Sequence, residues 1–373
     1  MDIRIGRLLA VARKEVLQLR RDTRSLAMAF VVPAAMIVFF GYVISFDVKD
    51  ITLAVLDQDH SQRSRELVQA FVAAGRFRIT ERPASTADIA PLLDRGAVRM
   101  AVIIPPGFER KLSAGVQAPV QAIIDGADAN TAGISANYAT AIVGAYSATV
   151  VMQTTLAAAP ITTEARVWYN EALESPPMIV PGLVATIMMM IAAMLTALTV
   201  AREWERGTME QLAATPVHPV EVILGKLLPY LGIGLIDVLS AILIGMFVFH
   251  VPFRGSPVLL AVLATLFLVG SLGLGIFISA ALRSQLMATQ VAMMATYLPA
   301  VLLSGLMFDI NGMPWILRVI STVVPARYFI TVLRGIFLKD VGLSVLWGQG
   351  LAMVLYAVVG LTLAVRAFRK EIA

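Results

Sequence analysis

The sequence predicts an α-helical polytopic membrane protein with six transmembrane helices and an α/β extracytoplasmic domain inserted between the first and second. Three observations carry that class. The 373-residue chain is 58% hydrophobic and 15% charged, with a mean hydropathy of +0.80, whereas soluble domains run at roughly 45–50% apolar and about 25% charged. The apolar residues gather in blocks, several of them reaching the length of about 20 residues that crosses roughly 30 Å of hydrocarbon. One long stretch, 47–177, has no such block and carries 11 Lys+Arg against 14 Asp+Glu.

Within residues 1–24, Ile5, Leu8, Leu9, Ala12, Val16 and Leu19 share one helical stripe with basic residues between them. This is the pattern of an amphipathic helix on a membrane surface. Arg4, Arg7, Arg13, Lys14, Arg20, Arg21 and Arg24 outnumber Asp2, Glu15 and Asp22, so the positive-inside rule places this end in the cytoplasm. The first span covers 25–46. It exceeds the apolar core of a signal peptide and lacks a small-residue cleavage site, so it reads as a permanent span. Pro33 within it is tolerable where neighbouring helices satisfy the freed carbonyl.

Residues 47–177 read as a small α/β domain. Ile51 to Leu56, Ala101 to Ile104 and Val120 to Ile124 are short runs rich in branched apolar residues, the mark of strands. Ser61 to Ala74 and Ala87 to Asp94 are helix-compatible, the first opened by a serine cap. A long alanine-rich helix follows Asp128, to about Ala159. The first span must deliver this domain to the outside. Residues 178–373 then hold five more spans, at about 178–201, 221–250, 257–282, 286–308 and 343–365. Segment 202–219 is the cytoplasmic return after the second of the six. Six spans put both termini in the cytoplasm, in agreement with the basic tail Arg366, Arg369 and Lys370. Residues 309–342 hold Arg318, Arg327, Arg334 and Lys339 in an amphipathic pattern, read as an outer hairpin dipping into the bilayer. A seventh span in this stretch is the alternative.

Several chemistries are excluded. There is no cysteine, hence no disulfide, thiolate metal site or cysteine nucleophile. No G-x-x-x-x-G-K-[ST] occurs, so the chain has no P-loop. The three histidines, His60, His218 and His250, form no H-E-x-x-H pair, and no metal site is expected. No G-x-S-x-G elbow is present, and no catalytic residue is assigned. The net charge of +5 comes from bases flanking the spans, not from a tract of their own, so no nucleic-acid role is expected.

What stands out is Arg202-Glu203-Trp204-Glu205-Arg206-Gly207-Thr208-Met209-Glu210, charges of both signs directly after an apolar helix, with a break at Gly207 and a new short helix ending near Pro216. Such alternation suits salt bridges to a partner, although a solvated connector has the same composition. Asp237 lies inside the third span, where an ionisable group is costly and marks a candidate polar site. A protonated or hydrogen-bonded structural Asp is the other reading. The glycines at 232, 234, 270, 273 and 275 permit close helix approach.

The run R-E-x-E-x-G-T-x-E-x-L-x-x-x-P, followed by Gly225-Lys226, resembles the permease subunits of type-2 ATP-binding-cassette (ABC) exporters, in particular their bacterial drug-efflux branch. Lys14-Glu15 and Arg21-Asp22 before the first span agree with it, as do Pro325-x-Arg327-Tyr328 and Arg334-Gly335 before the last. The resemblance implies a transport subunit, not an enzyme. It implies that two permeases pair, as a homo- or heterodimer, and that cytoplasmic ABC ATPase subunits hold the ATP and magnesium, with no cofactor in this chain. It implies coupling to the ATPase through Arg202, Glu203, Glu205, Arg206, Gly207, Thr208 and Glu210. A second ATPase contact would fall on Arg13, Lys14, Arg21 and Asp22. It also implies a bacterial inner membrane, surrounding lipids, a periplasmic adaptor, and export of an amphiphilic drug, lipid or related compound. A membrane-anchored receptor or scaffold using the soluble domain is the competing function.

Overall fold

A computed structural model describes residues 4–44, 50–127, 129–154, 175–209, 211, 215 and 217–368. Contacts divide the chain into two compact units, Ser45–Trp168 and a unit that joins Met1–Ile44 to Tyr169–Ala373.

In the smaller unit, strands β1 (Ile51–Asp57), β2 (Phe77–Glu81), β3 (Met100–Ile104) and β4 (Gln121–Ile124) form one sheet in the order β2-β1-β3-β4. β1 runs parallel to β2 and β3, while β4 is antiparallel to β3. Side chains alternate across a strand, so β1 serves two cores. Leu53 and Val55 meet Leu67 and Phe71 of α3 (Gln62–Ala73) and Ala139 of α6 (Ala129–Thr154). Ala54 and Leu56 meet Ile89 and Leu92 of α4 (Ile89–Asp94) on the other face. The expected serine cap is present: the Ser61 side chain accepts from Ser64 N–H at 3.1 Å. The long helix is described as far as Thr154, and its expected end near Ala159 lies outside the described residues.

Two elements of this unit escape the sequence pattern. β2 is an edge strand whose Arg78, Thr80 and Glu81 leave little apolar signal. α5 (Phe108–Ser113) is a short charged helix whose first turn is capped from a distance. The Asp59 carboxylate accepts the N–H groups of Gly107, Phe108 and Glu109 at 2.6, 3.1 and 3.0 Å. A hydrogen bond from the Ser61 side chain, followed by that from Glu109 N–H, holds the Asp59 carboxyl below its usual range. A depressed carboxylate contributes stability above its unfolded pKa and loses it as pH falls through the folded value. Asp59→Asn should therefore unprotect the Gly107–Glu109 amides in hydrogen exchange near neutral pH. Wild type should lose the same protection only on acidification below the ordinary aspartate range. Unchanged protection in the variant would rule out this cap.

The larger unit is helical. Among the described residues, helix α1 (Ile5–Arg21) precedes six helices long and apolar enough to span a membrane: α2 (Thr23–Val43), α7 (Ser175–Glu205), α8 (Pro219–Phe247), α9 (Pro257–Leu282), α10 (Gln285–Leu303) and α13 (Leu343–Ala367). The second spanning helix is longer than its sequence signal, because Arg202 to Glu205 continue it instead of opening the connector. α7 is the central helix, with nearly every side chain from Ile179 to Ala201 buried in this unit. Met188, Met189 and Met190 are accordingly core residues, whereas Met293 and Met294 are exposed.

Between α10 and α13 lie α11 (Trp315–Ser321) and α12 (Pro325–Lys339), two short helices bent by 75° at the 322–324 break. At 1.5 Å per residue neither crosses the hydrocarbon alone. Arg318 and Arg327 serve the hairpin's own backbone and turn, whereas Arg334 reaches α7. Arg318 donates to Asn311 O at 2.7 Å, Arg327 to Ser321 Oγ at 2.7 Å, and Arg334 Nε to Met178 O at 3.2 Å.

Candidate functional site

The motif after the second span closes its helix by a specific backbone device. Gly207 takes a left-handed φ of 68°, its N–H bonds Trp204 O at 3.1 Å, and Thr208 N–H bonds Glu203 O at 3.0 Å. These are the paired bonds of a glycine-terminated helix, and they fix the rotation of Glu203 and Glu205 about the helix axis.

Glu203 points inward. It is 5% exposed, and its Oε1 lies 2.9 Å from Lys226 Nζ near the start of α8. Lys226, itself 1% exposed, reaches Glu15 Oε1 of α1 at 2.8 Å, and Glu15 is 2% exposed. Lys14 completes the set with a close contact to Glu203 and a 3.5 Å contact to Glu15. Two bases and two acids alternate, so the cluster is neutral, and it ties together α1, the end of α7 and the start of α8. α1 can approach this closely because Gly225 lies under Leu8 and Val11, where a Cβ would come within 2.8–2.9 Å of both residues. Glu203 Oε2 is buried and has no hydrogen-bond partner among the described residues.

The neighbouring charges are also engaged within the chain. Arg202 pairs with Asp22 at 2.9 Å. Glu205 accepts the N–H of Gln285 at 2.7 Å across the α9–α10 turn, and the Arg283 guanidinium of that turn sits 4.2 Å from the Trp204 ring centre. The structure thus gathers Lys14, Asp22, Arg202 and Glu203 from the sequence candidates, and places Glu205 on an adjacent turn. Arg13 and Arg206 are exposed, Arg21 lies on the rim of a cleft beside α1, and Thr208 donates back to Glu203 O. Glu210, and the short helix expected to end near Pro216, lie partly or wholly outside the described residues.

Glu15 and Lys226 are cluster members that the sequence reading did not single out as site residues. A usable signal existed for each. Glu15 interrupts the apolar stripe between Ala12 and Leu19, and Lys226 is the one cation inside the apolar run of α8.

Asp237 stands apart from this cluster, within α8. It is 2% exposed, its Oδ1 has no hydrogen-bond partner among the described residues, and it borders a cavity of about 10 Å³ shared with Tyr230, Met188 and Leu268. That is room for about one water molecule. No group of three or more His, Cys, Asp or Glu side chains able to hold a metal occurs among the described residues.

Comparison with known proteins agrees with the span pattern. Residues 23–366 match the family described as ABC-2 family transporter protein. The chain is similar to the probable multidrug ABC transporter permease YbhS of Escherichia coli, 35% identical over 334 residues, covering 89% of this chain and 88% of that protein. It is similar to the probable multidrug ABC transporter permease YbhR of the same organism, 30% identical over 370 residues, covering 98% and 99%. The inner membrane transport permease YhhJ of E. coli is 28% identical over 324 residues, covering 86% and 85%. A family match over nearly the entire length, on a chain whose described residues include six helices long and apolar enough to cross a membrane, makes this protein a member of the ABC-2 family of ABC-transporter permeases.

Proposed function

We propose that this chain is the membrane subunit of an ATP-driven exporter in a bacterial inner membrane, with both termini in the cytoplasm and the Ser45–Trp168 unit outside. It moves an amphiphilic compound, a drug, lipid or related molecule, outward. ATP and magnesium are held by separate cytoplasmic ATPase subunits, and a second permease completes the pathway. The bent α11–α12 pair is a re-entrant hairpin on the outer side, and the outer domain is where a periplasmic adaptor would engage. The multidrug naming of two relatives that this chain covers over 88% and 99% of their length supports the substrate class.

The observation that carries the coupling reading is the buried Lys14–Glu15–Glu203–Lys226 cluster. It links the surface helix α1 to two spanning helices, so a push on α1 or on the 202–219 segment is transmitted to α7 and α8 as a rigid-body displacement. The charges inside the cluster are already matched, which leaves the exposed Arg13 as a group for the ATPase surface.

The test is co-purification with ATPase subunits in mild detergent, followed by measurement of ATP hydrolysis. Arg13→Glu should leave the permease monodisperse and reduce ATPase recovery at least about fivefold. Undiminished recovery would remove Arg13 from the contact. Absence of any nucleotide-binding partner from wild type would remove the exporter assignment.

A further inference from the structure

Beside the ion cluster lies a cleft of about 860 Å³, bordered by α1, α2, α7 and the start of α10. Its charge is one-sided: Lys14, Arg21, Arg202 and Arg206 line it against a single acid, Asp22. Asp22 is paired with Arg202, and Lys14 is directed to Glu203. Arg21 and Arg206 also line the cleft, and among the described residues no acid lies within salt-bridge distance of either.

The cleft is also graded in polarity. Leu17, Met28 and Leu198 form its apolar lining. Met28 is five residues inside α2 and Leu198 seven residues before the end of α7, which is about 8–10 Å along each helix. The cleft therefore starts at a cationic rim and continues alongside the apolar part of two spans. The polar interfacial layer of a bilayer is of similar depth, about 5–8 Å per leaflet. A soluble anion needs only the rim. A phospholipid needs both, its phosphate at the arginines and the start of its acyl chains along Met28 and Leu198.

We infer that this cleft is a binding site for the phosphate headgroup of an anionic phospholipid drawn from the leaflet on the α1 side of the membrane. Basic pockets between spans are suited to such headgroups, and the volume lies within the range of ligand-sized sites. The inference concerns lipid binding by this chain itself and stands whether or not the coupling role proposed above holds.

The experiment uses the full chain, purified in mild detergent, relipidated with phosphatidylglycerol or phosphatidylcholine, and analysed by native mass spectrometry and thermal unfolding. Wild type should retain phosphatidylglycerol selectively, gain thermal stability from it, and lose both effects as ionic strength rises. Arg21→Gln with Arg206→Gln should lower retention at least about tenfold. Arg21→Lys with Arg206→Lys should restore most of it, because lysine also binds phosphate. The exposed Arg95→Gln in the other unit serves as the control and should change nothing. Equal retention of the two lipids by wild type, or salt-independent retention, overturns the inference without recourse to any variant. Glycerol 3-phosphate that stabilises as strongly as phosphatidylglycerol overturns the lipid assignment in favour of a soluble anion.

Discussion

Lys226→Met is expected to destabilise this protein by about 3–5 kcal/mol, the range for removing one partner from a buried ion pair. Lys226 is 1% exposed and holds two carboxylates that are 2% and 5% exposed, at 2.8 and 2.9 Å. Without it, Glu15 and Glu203 face each other across a desolvated space. Among the described residues only Lys14, half-exposed at its side chain, remains in ion-pair contact with them. Burying an unpaired carboxylate costs far more than the attraction of a single solvent-facing lysine returns. The measurement is the fraction of monodisperse protein after heating in mild detergent. The single variant should show a midpoint many degrees below wild type. The triple change Glu15→Gln, Glu203→Gln, Lys226→Met should recover most of the loss, because it removes the charges together. Wild-type thermal behaviour of Lys226→Met alone would mean that the cluster does not hold α1 against α7 and α8. Recovery by the triple variant, combined with lost ATP-driven transport, would separate structural adhesion from a coupling role of the charges.

How far the sequence speaks depends on whether the relevant physics is local. Apolar length is local, so the fourth span at 257–282 coincides with α9 to the residue, and the other spans differ mainly at their ends. Branched apolar runs are local, so β1, β3 and β4 are legible. β2 is not, because an edge strand presents only Phe77 and Ile79 to the core and carries charges between and beyond them. α5 is not, because its cap arrives from Asp59, 48 residues upstream of Gly107. The candidate site shows the same limit. The 202–210 motif is conspicuous in the sequence, and its charge alternation suggests an external partner. The structure satisfies much of that charge internally. Glu203 is matched by Lys226, which in turn binds Glu15 over a separation of 211 residues. Glu205 is matched by the Gln285 amide, 80 residues on. Charge alternation reports that partners exist; it does not say on which chain they lie.

A second large effect is expected at Gly275, where helix packing rather than charge is at stake. Gly275 lies on α9 against α7. A Cβ there would overlap the Ala193 carbonyl oxygen and the Thr196 hydroxyl, both belonging to the central helix. A backbone carbonyl cannot rotate aside, so the helices must separate. Separation stretches the bond that Thr196 Oγ1 donates to Leu272 O at 2.9 Å and those that Ser279 Oγ accepts from Val200 and Ala201 N–H at 3.1 and 2.8 Å. Within a bilayer there is little water to take up polar groups freed in this way, and small residues are what allow backbones to approach. Gly275→Leu should therefore cost at least about 3 kcal/mol, at or beyond the upper end of ordinary overpacking, and should deplete folded protein in the membrane. Gly275→Ala should lie between the leucine variant and wild type. The internal control is Gly232 of α8, an exposed position with no atom within 4 Å of a built Cβ. Gly232→Leu should be neutral, or slightly stabilising through helix propensity. If the two leucine variants accumulate and unfold alike, the α7–α9 contact is looser than its geometry implies. A steep difference between them would establish that the close crossing at Gly275, and not glycine content as such, sets the spacing of the central helices.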